Sequence, residues 1–205
     1  LMFAVVFAGL SLAVCYFGLV TIGTVGVQNF TRTTASLLNL VLYLVPLAAL
    51  VLATLSFSGE KGATELLFSQ PVARGDILVG KLLGLFLCMA GATCFGFGIA
   101  GVFISARAGA EGSTRYALFV GLALLLSLVF LSLGSMVAIL ADNRARALAA
   151  VLVLWFFFVV FYDFLAIGMT FLFKERTANM FIFLSLFGNP VDLVRVASLM
   201  NLGGA

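Results

Sequence analysis

Five runs of the 205-residue sequence are apolar for the length a helix needs to cross a lipid bilayer: residues 1–27, 37–57, 77–104, 116–140 and 147–173. A hydrocarbon core about 30 Å thick is spanned by roughly 20 helical residues. Inside it each backbone N–H and C=O must be satisfied within the protein, which restricts a spanning chain to α-helices or a closed barrel. Continuous runs of this length, without strand-like alternation, select helices. Composition agrees. The chain is 64% hydrophobic and 9% charged, whereas soluble domains are about 25% charged. A single core in a chain of this size cannot hide that much apolar surface, so lipid must cover it. The fold class is therefore all-α: a polytopic helical membrane protein forming one transmembrane domain over residues 1–205.

The connectors, 28–36, 58–76, 105–115 and 141–146, are too short to hold a separate catalytic domain. Beyond Lys174 the pattern changes, because the apolar run 178–187 is about half the length of a span. It predicts a re-entrant or interfacial segment, with short outer helices over about 177–200. Asn189-Pro190-Val191-Asp192 reads as the start of the second of these, with Asn as N-cap, Pro at the first helical position and an acid in the first turn. The opening run begins at Leu1, lacks a basic leader and is too long for a signal peptide, so the chain reads as trimmed at its front. It ends at Ala205, ahead of any sixth span.

Charge excludes several functions. The net charge of +3 is scattered along the chain and leaves no nucleic-acid footprint. There is no His, and Cys15, Cys88 and Cys94 sit inside apolar runs, which predicts small core residues and neither disulfides nor a zinc motif. Basic residues divide evenly between the two sides: Lys61, Arg74, Lys81, Arg144 and Arg146 on one, Arg32, Arg107, Arg115, Lys174, Arg176 and Arg195 on the other. The positive-inside rule therefore gives no orientation. The third span carries a stripe of small residues, Gly80, Gly84, Cys88, Ala92, Gly96 and Ala100, which predicts a seam for close helix packing.

Residues 75–82 have the G-x-x-x-x-G-K spacing of a phosphate-binding loop, but Leu82 stands where a magnesium-binding Ser or Thr is needed and no strand precedes it. Asp76 would also repel phosphate. ATP chemistry belongs to a partner. Read whole, residues 60–74 alternate charged and apolar positions at helical spacing from Lys61 to Phe68 and break at Gln70-Pro71. A solvated connector has no need of Leu66, Leu67 and Phe68 together, so the stretch predicts a short amphipathic helix along the membrane surface.

This loop resembles the first intracellular loop of ABC-2-type transporter permeases, with Glu60, Gly62, Thr64, Glu65, Leu67, Ser69, Pro71, Val72, Arg74, Ile77, Gly80 and Lys81 at the pattern's positions. The resemblance implies a type V exporter-like permease in which residues 60–74 form a coupling helix docked on a cytoplasmic ATP-binding subunit. That subunit would hold ATP and Mg, and this chain no cofactor. Asp142, Arg144 and Arg146 resemble a second cytoplasmic contact. Tyr162-Asp163 and the stretch from Asn189 through Pro190 and Asp192 to Arg195 are similar to the NosY-like branch of the family. The branch implies a bacterial inner-membrane homodimer, a periplasmic solenoid partner and a role in assembling the copper centre of nitrous oxide reductase. No copper ligand is assigned here. Cys88 and Cys94 fall about 120° apart around a helix, and Met89, Met136, Met169 and Met180 are dispersed.

An acid inside a span costs about 2.5–3.5 kcal/mol near the bilayer centre, so Asp163 must face protein or water. It reads either as a gate or pathway contact beside Tyr162, paired with Arg195 or Arg176, or as a structural hydrogen bond near the outer end of its helix. Other activities compatible with the fold are ABC-2 export of a lipid, glycan or drug, an integral membrane enzyme, and secondary transport. The enzyme would need polar groups converging in the spans, and secondary transport would need helices broken at mid-membrane.

Overall fold

A computed structural model describes residues 28–58, 73–165, 168 and 188–203, and all secondary structure among them is helical. Helix α1 is Gln28–Phe57, α2 is Arg74–Leu140, α3 is Arg144–Phe156, and α4 is Pro190–Gly203. The chain beyond α3 winds as a π turn, Phe157–Phe161, before regular helix resumes. Three stretches, Gly75–Gly98, Tyr116–Leu140 and Arg144–Leu165, are long and apolar enough to cross a membrane, and Val41–Phe57 is a shorter apolar helix. The first span expected at 1–27 and the outer segment 177–187 lie outside the described residues.

The helices extend past the apolar runs. Helix α1 already includes Gln28, ahead of Leu37, while α2 starts at Arg74, ahead of Ile77, and α3 at Arg144, ahead of Ala147. Apolarity marks the length that lipid covers and not where a helix begins, which at α3 is set by a cap. The Asn143 side chain, for example, accepts the Arg146 backbone N–H at 2.8 Å.

The connector expected at 105–115 is also helical, and α2 includes it without interruption. A straight helix would hold Phe97 and Tyr116 about 28 Å apart. Instead the Tyr116 hydroxyl donates to the Phe97 carbonyl at 2.7 Å, and the Phe97 and Phe119 rings meet edge to face at 6.0 Å. The chain therefore doubles back between Phe97 and Tyr116, and α2 forms two antiparallel limbs.

Helix α1 buries Leu38, Val41, Leu42, Val45 and Ala49, one face at helical spacing, against the second limb of α2 through Phe119, Leu126 and Phe130. The two helices come close together at Gly134. A Cβ there would stand 2.9 Å from the Ala53 Cβ and 3.0 Å from the Leu50 carbonyl oxygen. The hydroxyls of Thr54, Thr93, Ser127, Ser132 and Ser135 donate back to carbonyls three or four residues earlier in their own helices. A helix that lies in lipid satisfies its polar side chains in this way.

One expectation is narrowed and another corrected. Along the third-span stripe nothing lies within 4 Å of a Cβ built on Gly80 or Gly84, whereas Gly96 is buried, so only part of the stripe lies against the rest of the chain. Cys88 and Cys94 are exposed and are not small core residues. The first limb turns Leu83, Leu87 and Phe95 outward too, so only one side of it meets the core. Small residues permit close approach without selecting which helix makes it, and here Gly134 of the second limb takes that place.

Candidate functional site: two polar ends of one helical unit

Helix direction sorts the polar residues. Helix α1 ends at Phe57, α2 begins at Arg74 and returns to Leu140, and α3 leaves from Arg144. The connectors after Phe57 and after Leu140 therefore lie at one end of the unit, while Asp163 and α4 lie at the other. Between Arg144 and Asp163 the helical rise is about 28 Å, close to the roughly 30 Å core. Asp163 thus stands near the far boundary of the span.

At the first end, Lys81 holds the end of α1 and the start of α2 together. Its Nζ donates to the Ser56 carbonyl at 2.6 Å and lies 4.9 Å from the centre of the Phe57 ring. A cation among the last carbonyls of α1 is favoured by the helix dipole. The lysine of the false phosphate-loop motif is therefore a cap. Glu60, Gly62, Thr64, Glu65, Leu67 and Pro71 lie outside the described residues, and Arg74 opens α2. Asp142, Arg144 and Arg146 are exposed around the turn into α3, with Arg146 Nη1 2.8 Å from Asp142 Oδ2. Their side chains are 81% and 70% exposed for Asp142 and Arg146, so this pair adds little stability. It leaves a polar surface free to meet another protein.

At the second end the side chains converge. Arg195 Nη1 lies 3.0 Å from both carboxylate oxygens of Asp163 and 2.8 Å from Asp192 Oδ1. Of the two cations expected beside Asp163, Arg195 makes the contact, and Arg176 lies outside the described residues. Burial and the nearby Asp163 carboxylate push the Asp192 carboxyl above the ordinary carboxylate range, against the pull of Arg195 and of the Asn189 amide.

Asn189 is fully buried. Its Oδ1 accepts the Val191 N–H at 3.0 Å, which caps α4, and its Nδ2 donates to Asp192 Oδ2 at 2.8 Å and to the Phe158 carbonyl at 2.9 Å. Pro190 occupies the first helical position. The Phe158 carbonyl belongs to the π turn, where the Tyr162 N–H bonds to the Phe157 carbonyl in place of its α-helical acceptor. Tyr162 also presses on the entry to α4: a Cβ on Gly188 would stand 2.6 Å from its hydroxyl oxygen. Regular helix was expected through the fifth span, and nothing in Phe-Phe-Val-Val-Phe announces a π turn.

An open cleft of about 660 Å³ runs between α1 and α3 and ends at this cluster, lined by Tyr43, Leu47, Trp155, Val160, Asp163 and Phe164 among others. Pro46 removes an N–H from the middle of α1. One turn away the Tyr43 carbonyl accepts the Trp155 indole N–H at 3.1 Å, which ties the two helices across the cleft. Sequence reasoning passed over this pair, because its acceptor is a backbone carbonyl and its partners lie 112 residues apart.

Known proteins share this arrangement of sequence. The chain is 36% identical over 207 residues to a probable ABC transporter permease protein NosY of Pseudomonas aeruginosa, which covers 98% of this chain and 74% of that protein. It is 31% identical over 208 residues to the protein of the same name from Stutzerimonas stutzeri, covering 98% of this chain and 75% of the relative. The profile of the ABC-2 family transporter protein matches residues 2–199. With apolar helices long enough to span a bilayer and polar groups gathered at their two ends, the chain is a multi-pass membrane permease that belongs to the ABC-2 transporter family.

Proposed function

We propose that this chain couples ATP hydrolysis in a separate subunit to transport or force transmission across the bacterial inner membrane, in the service of copper-centre assembly for nitrous oxide reductase. ABC-2 permeases work with an ATP-binding subunit. In this reading that subunit holds ATP and Mg and docks on residues 60–74 and on Asp142, Arg144 and Arg146. Two copies of the chain form the membrane unit, and α4 with the segment before it gives a periplasmic solenoid protein its platform.

The observation that carries the reading is the division of polar groups between opposite ends, joined by continuous helices and clasped at one end by Lys81 and at the other by Arg195. Rigid helices held at both ends can pass a displacement from one side of a membrane to the other, as hinge and shear movements require. The two relatives carry the NosY name, and the copper-centre assignment rests on the resemblance to that branch.

Affinity purification of the full-length chain in mild detergent tests this. Recovery of an ATP-binding subunit and a periplasmic protein is expected. Recovery of neither, under conditions that keep a known ABC complex intact, would overturn the reading. The apolar cleft beside Trp155 favours one rival, export of a lipid or apolar drug. That rival predicts nucleotide-dependent movement of such a molecule between the leaflets of a reconstituted vesicle.

A further inference from the structure

A π turn holds one residue more than the α-helix around it. Closing it to α-helix without losing that residue turns everything beyond by about 100° and shifts it by about 1.5 Å. Asp163 is the second residue past the turn, so its contact with Arg195 belongs to one of the two windings only. We propose that Asn189 is a positioning residue that ties the winding of α3 to the seating of α4. While its amide holds the Phe158 carbonyl the π turn persists. When α4 lifts, the turn closes and carries Asp163 away from Arg195.

The chemistry of the Phe158 carbonyl supports this. The N–H that an α-helix would bring to it, that of Tyr162, is bonded to the Phe157 carbonyl, and Asn189 Nδ2 supplies a donor at 2.9 Å. In a helix facing lipid, a carbonyl that loses its donor must find another within the protein. Closing the turn provides one. The opposite end of the same amide caps α4 through Val191, so one fully buried side chain is bonded to both elements. Gly188 adds a second contact, because Tyr162, just beyond the turn, presses against it.

The test uses the full-length chain in lipid nanodiscs, with Cys15, Cys88 and Cys94 replaced by Ala and spin labels on Phe164→Cys and Leu199→Cys, two exposed positions beyond the turn and on α4. The parent is expected to give one narrow distance distribution. Asn189→Asp keeps the capping oxygen but has no N–H for Phe158, and a second, shifted population is expected. Asn189→Ser also keeps a cap and loses that donor, so it should shift the same way and serves if the Asp variant does not fold. Deleting Val160 takes the extra residue out of the turn, and in either background it should restore the single parental distribution.

An unshifted distribution in both variants overturns the proposal. So does a shift with Asp but not with Ser, which would reflect repulsion from Asp192, or a shift that the Val160 deletion leaves in place. The measurement needs neither nucleotide nor partner, so its failure leaves the coupling reading to be judged by co-purification.

Discussion

Arg195 and Asp163, 32 residues apart in sequence, meet with Nη1 at 3.0 Å from both carboxylate oxygens and so fasten α4 to the helix that continues α3 beyond the π turn. Their side chains are 23% and 34% exposed. Breaking the pair should therefore cost less than the 3–5 kcal/mol of a fully buried one, and about 1–2 kcal/mol is expected for Asp163→Ala. Trp155 is the single tryptophan and neighbours Asp163 in the cleft, so its emission during thermal unfolding reports the loss. If Asp163 also gates, Asp163→Asn will impair transport. Parental transport and folding in that variant would leave it a purely structural contact.

Lys81→Met removes both the donor to the Ser56 carbonyl and the cation over Phe57. The stability lost should be modest, about 0.5–1 kcal/mol, because the lysine is exposed. The larger effect is expected on coupling. The ATP-binding subunit should still co-purify, while its hydrolysis no longer responds to changes at the outer end of the permease. Parental coupling in a detergent ATPase assay would count against the clasp.

Two glycines should respond in opposite ways. Gly134→Ala drives a methyl against Ala53 and the backbone of Leu50, which can yield little, so a loss of about 1–3 kcal/mol is expected. Gly84→Ala meets nothing within 4 Å and should stay within about 0.5 kcal/mol of the parent. Unfolding midpoints in detergent compare the two. Equal losses would make Gly84 a close packing contact as well.

Asp192 sets a pH dependence whose sign follows from its raised carboxyl. A raised folded value means that the protonated form is the better bound. The stability it contributes is fully present below the ordinary carboxylate value of about 3.9 and is lost as pH rises through the higher folded value. Asp192→Asn, which stays neutral, should cost less than about 1 kcal/mol near neutrality. Its stability relative to the parent should fall as the medium is acidified from neutrality toward that ordinary value. A difference that does not change with pH would refute the assignment.

The residues of the Asp163–Arg195 cluster were legible as types. An intramembrane acid must find a partner, and Asn189-Pro190 announces a helix start, so Asp163, Asn189, Asp192 and Arg195 could be picked out from the chain alone. That Asn189 reaches across to Phe158 could not, since the acceptor is a backbone carbonyl bared by a π turn with no sequence signature. Lys81 was visible as part of a motif, but its role depends on Ser56, 25 residues away.

By itself the sequence determined the solvent of this protein and, through it, the helical class, because apolar length and the need to satisfy every backbone group in lipid leave little else. It also determined where charge is concentrated, and hence which stretches meet water or other proteins. Tertiary structure alone decided which small residue lies against α1, Gly134 and not Gly84, and where the Tyr116 hydroxyl finds its acceptor at Phe97. It also decided that the Asn189 amide bonds to two elements at once. Those outcomes depend on which helix face lies against which neighbour. That is fixed by contacts between residues far apart in the chain, and no local pattern encodes it.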